Sequence, residues 1–326
     1  MLIASAAILI GFIVLVWSAD LFVAGAASMA ENMGMSPILI GLTIVSLGTS
    51  APEVLVAITA AMSDVGELAI GNAIGSNIAN VGLVLGLTAL IAPLPVHRAR
   101  LRRELPTLMA ITIACGLLLL DGKLDLLDGL LMLGALAFIL FEMINSQSHD
   151  PDANEEAGVE DLPHMQPVRA WVSFIIGLVL LIASSKLLVW GASKVAIELG
   201  VSQLVIGLTI VAIGTSLPEL AATMASALKG HGEIALGNVV GSNIFNLLGV
   251  MSLPGMFAVE YLEPMVLIRD YASMTGITLL LAAVLYLSLL RPKCRNEGGN
   301  IHVGRSIGAL LLAAYALYYY FLYLTA

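Results

Sequence analysis

Residues 41–80 read GLTIVSLGTSAPEVLVAITAAMSDVGELAIGNAIGSNIAN. The stretch sets one carboxylate, Glu53, and a series of hydroxyl and amide side chains into otherwise apolar sequence. It returns at residues 207–246 as GLTIVAIGTSLPELAATMASALKGHGEIALGNVVGSNIFN, displaced by 166 residues at every landmark and without a gap. Gly41 answers to Gly207, Glu53 to Glu219, Asn72 to Asn238 and Ser76 to Ser242. Between Gly41 and Glu53 the copies differ only at Ser46/Ala212, Leu47/Ile213 and Ala51/Leu217. Chance does not produce that agreement, so the chain is two related halves.

Outside the motif, composition identifies the solvent. Hydrophobic residues make up 59% of the chain and charged residues 11%, and the mean hydropathy is +0.99. Soluble domains carry roughly one-quarter charged residues. Apolar runs of about 20 residues recur, each long enough to cross a hydrocarbon core of ~30 Å as a helix. The reading is an all-α polytopic membrane protein whose environment is the lipid bilayer, with no nucleic-acid partner and no obligate protein partner in evidence. The net charge of −9 says little about partners, because six acids are gathered between Asp150 and Asp161. Cys115 in an apolar run and Cys294 in a basic loop suggest neither a disulfide framework nor a metal site.

Spans are expected near 2–21, 36–62, 69–91, 105–120 and 127–145, then 169–190, 203–229, 235–257, 270–289 and 306–325. The first is not read as a signal peptide, because no Lys or Arg precedes its apolar core and a counterpart recurs mid-chain. Ten helices thus divide into two five-span repeats, residues 1–145 and 169–326, joined by an acidic linker at 146–168. Five is odd, so the halves enter the membrane from opposite sides and form an inverted repeat. Sites in such transporters form near the midplane, where interrupted helices of the two halves meet.

Orientation follows from basic residues. Arg98, Arg100, Arg102 and Arg103 follow span 3, and Arg291, Lys293, Arg295 and Arg305 follow span 9. Both loops fall on one side of a ten-span chain, which makes that side cytoplasmic. Both termini then face outward, and the linker lies inside as a solvated segment; a regulatory calcium site there is the other reading. The expected location is an inner (plasma) membrane. Asp20 and Lys186 are repeat mates near opposite ends of spans 1 and 6, placed to snorkel to opposite surfaces rather than to pair.

The chemistry sits in the repeated motif. Pro52 has no N–H for the Gly48 carbonyl and Pro218 none for Gly214, so helices 2 and 7 are expected to break there. Thr49 and Ser50 can cap the new segment, with Pro52 in its first turn. Irregular backbone at membrane depth survives only beside a polar cavity. Glu53 and Glu219 then lie in first turns, where the helix dipole favours a carboxylate. Asn72, Ser76 and Asn80 recur every fourth residue and share a helix face, as do Asn238, Ser242 and Asn246. All these donors are oxygens, a set that selects calcium, sodium or magnesium over zinc or copper. Glycines such as Gly71, Gly75, Gly237 and Gly241 read as close-approach positions between helices. An acid at the bilayer centre costs about 2.5–3.5 kcal/mol even on insertion scales, so two at matched positions imply a task.

The pair GTSAPE and GTSLPE, each followed by GNxxGSN, resembles the alpha repeats of the sodium/calcium exchangers, within the cation/calcium antiporter superfamily. Both halves are covered at full span count, and the chain is most similar to the compact bacterial type. The resemblance implies a secondary antiporter, not an enzyme, with Ca2+ and Na+ as transported ions and no cofactor. It implies Glu53 and Glu219 as central ligands, and Thr49, Ser50, Thr215 and Ser216 at neighbouring sodium sites. Ser76 and Ser242 complete those sites, the carbonyls of Ser46 and Ala212 line the cavity, and Asn80 contributes from span 3. Spans 1 and 6 are implied to slide as the gate. Asn246 stands where potassium-dependent members carry Asp, which removes one titratable group. The GTS-x-PE form favours sodium over protons as driving ion, with a Ca2+/H+ antiporter as the alternative. An intramembrane hydrolase using Ser50 or Ser216 lacks a histidine base within the spans.

Overall fold

The computed structural model describes residues 2–63, 66–147, 165–200, 212–289 and 300–325. In chain order the helices of the first half are α1 (Leu2–Met33), α2 (Pro37–Thr49), α3 (Ala51–Met62), α4 (Gly66–Ile91), α5 (Arg98–Leu118) and α6 (Leu126–Gln147). The second half supplies α7 (Pro167–Glu198), α8 (Ala212–Thr215), α9 (Leu217–Leu228), α10 (Gly232–Phe257), α11 (Val266–Ser288) and α12 (Arg305–Thr325). Eight of these are individually long and apolar enough to cross a bilayer, and α2 with α3, bent by 46°, are so as a pair. The remaining expected span, 203–229, is represented by α8 and α9; its beginning lies outside the described residues, as do most of the acidic linker and Arg291, Lys293 and Arg295.

Spans 1 and 6 depart from expectation. Each was expected to end near residue 21 or 190, yet each runs for 32 residues, about 48 Å at 1.5 Å per residue. The reason is the small-residue sequence past Asp20. Ala26, Ala27 and Ala30 are fully buried, because they form the packing surface of a long helix rather than a loop. Gly34 and Gly200, with φ of 62° and 81°, follow the two ends, where the left-handed conformation that stops a helix suits glycine.

The inverted relationship is visible where α1 crosses α7. A Cβ added to Gly11 would meet the Leu188 backbone, one on Gly177 the Phe22 backbone, and one on Gly25 that of Phe174. As the position rises along α1 its neighbour falls along α7, so the two run antiparallel. Gly11 and Gly177 are repeat mates, as are Phe22 and Leu188. A contact and its mate-for-mate image therefore coexist, as a two-fold axis between the halves requires.

Two short antiparallel ribbons join the segments between helices. β1 (Leu94–His97), before the first arginine cluster, pairs with β4 (Asn300–Val303), before Arg305. β2 (Lys123–Leu124) pairs with β3 (Glu260–Tyr261). The loops after spans 3 and 9 are thus held side by side.

Candidate functional site

Both expected breaks are present. α2 gives way to α3 at Ser50 (φ −81°, ψ 5°), and α8 to α9 at Ser216 (φ −88°, ψ 4°). Pro52 and Pro218 occupy the first turn after each break, and Glu53 and Glu219 follow in the same turn. Both carboxylates are 1% exposed.

Two details differ from the expected capping. Ser50 precedes α3 but makes no side-chain cap bond; its hydroxyl donates instead to Glu219 Oε1 at 3.3 Å, across the repeat boundary. The freed Gly214 carbonyl accepts the hydroxyl of Ser185 of α7 at 2.9 Å, and both residues line the same cavity. In both cases a polar group exposed by the break finds a partner on another helix, because a buried orphan costs more than a re-aimed rotamer.

The helices after each break supply the other expected residues. Asn72, Ser76 and Asn80 lie on α4, and Asn238, Ser242 and Asn246 on α10. Asn80 and Asn246 each open a π-helical turn, Asn80–Leu85 and Asn246–Val250. Such widened turns are frequent at functional sites because they rotate side chains off the regular face. Asn238 ties the halves together. Its Oδ1 accepts from Thr49 Oγ1 at 3.1 Å, while its Nδ2 donates to Thr223 Oγ1 at 2.9 Å and the Glu219 carbonyl at 3.4 Å. Ser76 lies beside Glu53, and Glu53 is within Coulombic reach of Glu219.

Ser46 keeps its side chain on its own helix, bonding to the Leu42 carbonyl at 2.7 Å, and its carbonyl accepts the Ser50 N–H at 2.9 Å. Thr215 ends α8 and lines a cavity of about 600 Å³ with Pro52 and Gly214. Ala212 opens α8.

Sequence reasoning passed over the final residue of GNxxGSN. Asn77 Nδ2 donates to the carbonyl of its own repeat mate, Asn243, at 3.2 Å. The signal was available, since Asn77 recurs in register as Asn243. Thr223 and Ser185 had no such signal, because their mates are Ala57 and Ala19.

The set of buried oxygens left over is the chemical signature of the site. Glu53 Oε1 and Oε2, Glu219 Oε2, Asn80 Oδ1, Asn246 Oδ1, Ser216 Oγ and Ser242 Oγ have no hydrogen-bond partner. Buried polar atoms are nearly always paired, so seven such oxygens on the same few helix turns suit a ligand that takes oxygen lone pairs. A hard cation does this. Among the described residues no group of three His, Cys, Asp or Glu side chains is placed to hold a metal ion.

Residues 3–144 and 169–324 match the family described as sodium/calcium exchanger protein. The chain belongs to the sodium/calcium exchanger family. It is 43% identical over 326 residues to CaxA of Alkalimonas amylolytica, covering 99% of each chain. It is 35% identical to the inner membrane protein YrbG of Escherichia coli, covering 99% of this chain and 98% of that one. A solved structure of the sodium-calcium exchanger NCX_Mj, soaked with zero Na+ and Ca2+, superposes with a TM-score of 0.82 at 32% identity, covering 97% and 98% of the two chains. As a member of this exchanger family the protein is a membrane cation/Ca2+ antiporter and not an enzyme. A serine nucleophile at Ser50 or Ser216 is thereby set aside.

Proposed function

We propose that this exchanger moves Ca2+ against Na+ by alternating access at the site between α2–α3, α8–α9, α4 and α10. One observation carries the reading: each repeat buries a carboxylate in the first turn after a helix break, and three of the four carboxylate oxygens have no protein partner. Uncompensated charge in an apolar interior is costly, and a bound cation removes that cost. Two carboxylates balance one Ca2+ or share their charge among several Na+. Because both ions need the same oxygens, they exclude one another. The ion-free protein would carry bare charge through low dielectric as it switched. Either load relieves this, which couples the two fluxes.

In this reading Glu53 and Glu219 are the shared ligands. Thr49, Ser50, Thr215 and Ser216, with Ser76 and Ser242, serve flanking sodium positions, and Asn80 and Asn246 contribute amide oxygens. Backbone oxygens of Ser46 and Ala212 border the same space. Asn72 and Asn238 stand one turn further out; Asn238, with its oxygen already engaged by Thr49, aims its neighbours. The repeats are 1–145 and 169–326, with the 146–168 linker and the β1–β4 ribbon on the cytoplasmic side and both termini outside an inner membrane.

The test is uptake of radiolabelled Ca2+ into proteoliposomes with Na+, K+ and H+ gradients imposed separately. An outward Na+ gradient should drive uptake, and Glu53→Gln and Glu219→Gln should each reduce it to background. Full activity in both variants would overturn the reading. Uptake driven by a pH gradient without sodium would assign Ca2+/H+ exchange instead.

A further inference from the structure

The two repeats, alike in sequence, are not in the same state. On the β1–β4 face, α9 is closed against α1. Ala222 and Ala225 are buried in one core cluster with Ala19 and Val23, and beyond them Lys229 Nζ reaches Asp20, 3.2 Å from Oδ1 and 2.9 Å from its carbonyl oxygen. That these residues lie toward the β1–β4 face is given by Gly232, whose Cβ position abuts Pro95 of β1.

The repeat mates of these residues are open. Val56 and Thr59 answer to Ala222 and Ala225, Ser185 and Val189 to Ala19 and Val23, Lys186 to Asp20, and Ser63 to Lys229. Val56, Thr59, Ser63, Ser185, Lys186 and Val189 all line the cavity of about 600 Å³, which continues inward to Pro52 and Thr215. Its outer end lies toward the β2–β3 face, since Gly66, three residues past Ser63, is against Glu260 of β3. No carboxylate among the described residues pairs with Lys186. Where one repeat has an acid and a base, the other has a base and a hydroxyl.

We propose that the Asp20–Lys229 ion pair is a latch that closes the access path on the β1–β4 face and biases the exchanger toward the state open on the opposite face. The inference rests on the alternating-access reading above and adds an asymmetry to it. Exchanging the conformations of two inverted repeats produces the opposite-facing state. In that state Lys186 and Ser63 would take the places of Asp20 and Lys229, with no ion pair to hold them. The pair is partly exposed, with its side chains 33% and 57% accessible for Lys229 and Asp20. Its contribution is therefore that of a partly solvated pair, enough to tilt a near-balanced equilibrium but not to lock it.

The test reads accessibility and flux in the same preparations. In a full-length chain carrying Cys115→Ala and Cys294→Ser, a single cysteine replaces either Ala225 or Thr59 and is reacted in detergent with a hydrophilic maleimide. The Thr59 cysteine should react quickly and the Ala225 cysteine slowly. Lys229→Gln should raise the Ala225 rate relative to the Thr59 rate by roughly two- to fivefold. The charge exchange Asp20→Lys with Lys229→Asp should restore the original ratio, which loss of packing alone would not. Ser63→Asp, which gives Lys186 a partner, should slow the Thr59 cysteine instead. An unchanged ratio in Lys229→Gln and Ser63→Asp, with Na+-driven Ca2+ uptake intact, overturns the latch and leaves the exchanger reading standing. Absent uptake in the parent chain overturns the exchanger reading, while the labelling ratios still decide the latch.

Discussion

Ser50 in the first repeat donates its hydroxyl to Glu219 Oε1 in the second at 3.3 Å, so one half of the site is built by the other half's helix break. A hydrogen bond to a charged group contributes about 1.5–3 kcal/mol. Its mate Ser216 leaves its hydroxyl unpartnered.

That difference separates two otherwise equivalent alanine variants. Ser50→Ala should lower the melting temperature of the ion-free protein by several degrees, because Glu219 loses its donor. Ser216→Ala should leave that temperature within a degree of the parent, and differential scanning fluorimetry in ion-free buffer compares the two.

Ca2+ should stabilise the parent by mass action, by about 2.7 kcal/mol when present at a hundredfold excess over its dissociation constant. Glu53→Gln and Glu219→Gln should each lose most of this thermal shift, while the ion-free melting temperature stays equal to or above the parent's. The second half follows from removing a buried charge that no basic side chain among the described residues offsets. Equal Ca2+-induced shifts in parent and variants would contradict shared ligation by the two acids.

Asn246→Asp restores a third carboxylate beside the site, at a residue that is fully buried. A cation should bind the variant more tightly at alkaline pH. As pH falls the added group gains a proton, its charge is lost, and the advantage disappears. Ca2+ titrations by calorimetry between mildly acidic and alkaline pH should therefore give a steeper pH dependence for the variant than for the parent.

Gly41 and Gly237 let α2 and α10 touch backbone to backbone, since a Cβ at Gly41 would lie 2.6 Å from the Ile234 carbonyl and one at Gly237 2.6 Å from the Ile38 carbonyl. Either glycine replaced by Leu should cost at least about 1–3 kcal/mol through overpacking, seen as lowered yield of monodisperse protein and an earlier melt. Gly134, with nothing within 4 Å of its Cβ position, is the control and should accept Ala with little change.

Much of this was legible from side-chain chemistry alone. The duplicated text and the 166-residue offset between Glu53 and Glu219 announced two related halves, and an odd number of expected spans per copy pointed to their inversion. Pro52 and Pro218 announced the helix breaks, since a residue without an N–H cannot complete a regular turn. Hydropathy placed the spans but misjudged where spans 1 and 6 end. Alanine and glycine past Asp20 score as weakly apolar, yet their small size is what packs α1 against α7.

Partner choice was a different matter. Nothing in the local text tells Ser50 to leave its own helix for Glu219, Ser185 to reach the Gly214 carbonyl, or Lys229 to meet Asp20, 209 residues away. Each of those bonds depends on how far one helix has tilted against another. The repeat pattern by itself named the candidate oxygens in mate pairs, because similar sequences fold alike locally. Only the tertiary structure decided which repeat is closed and which is open, because the duplicated motif permits both arrangements and the packing of α1 on α9 is a contact between distant segments.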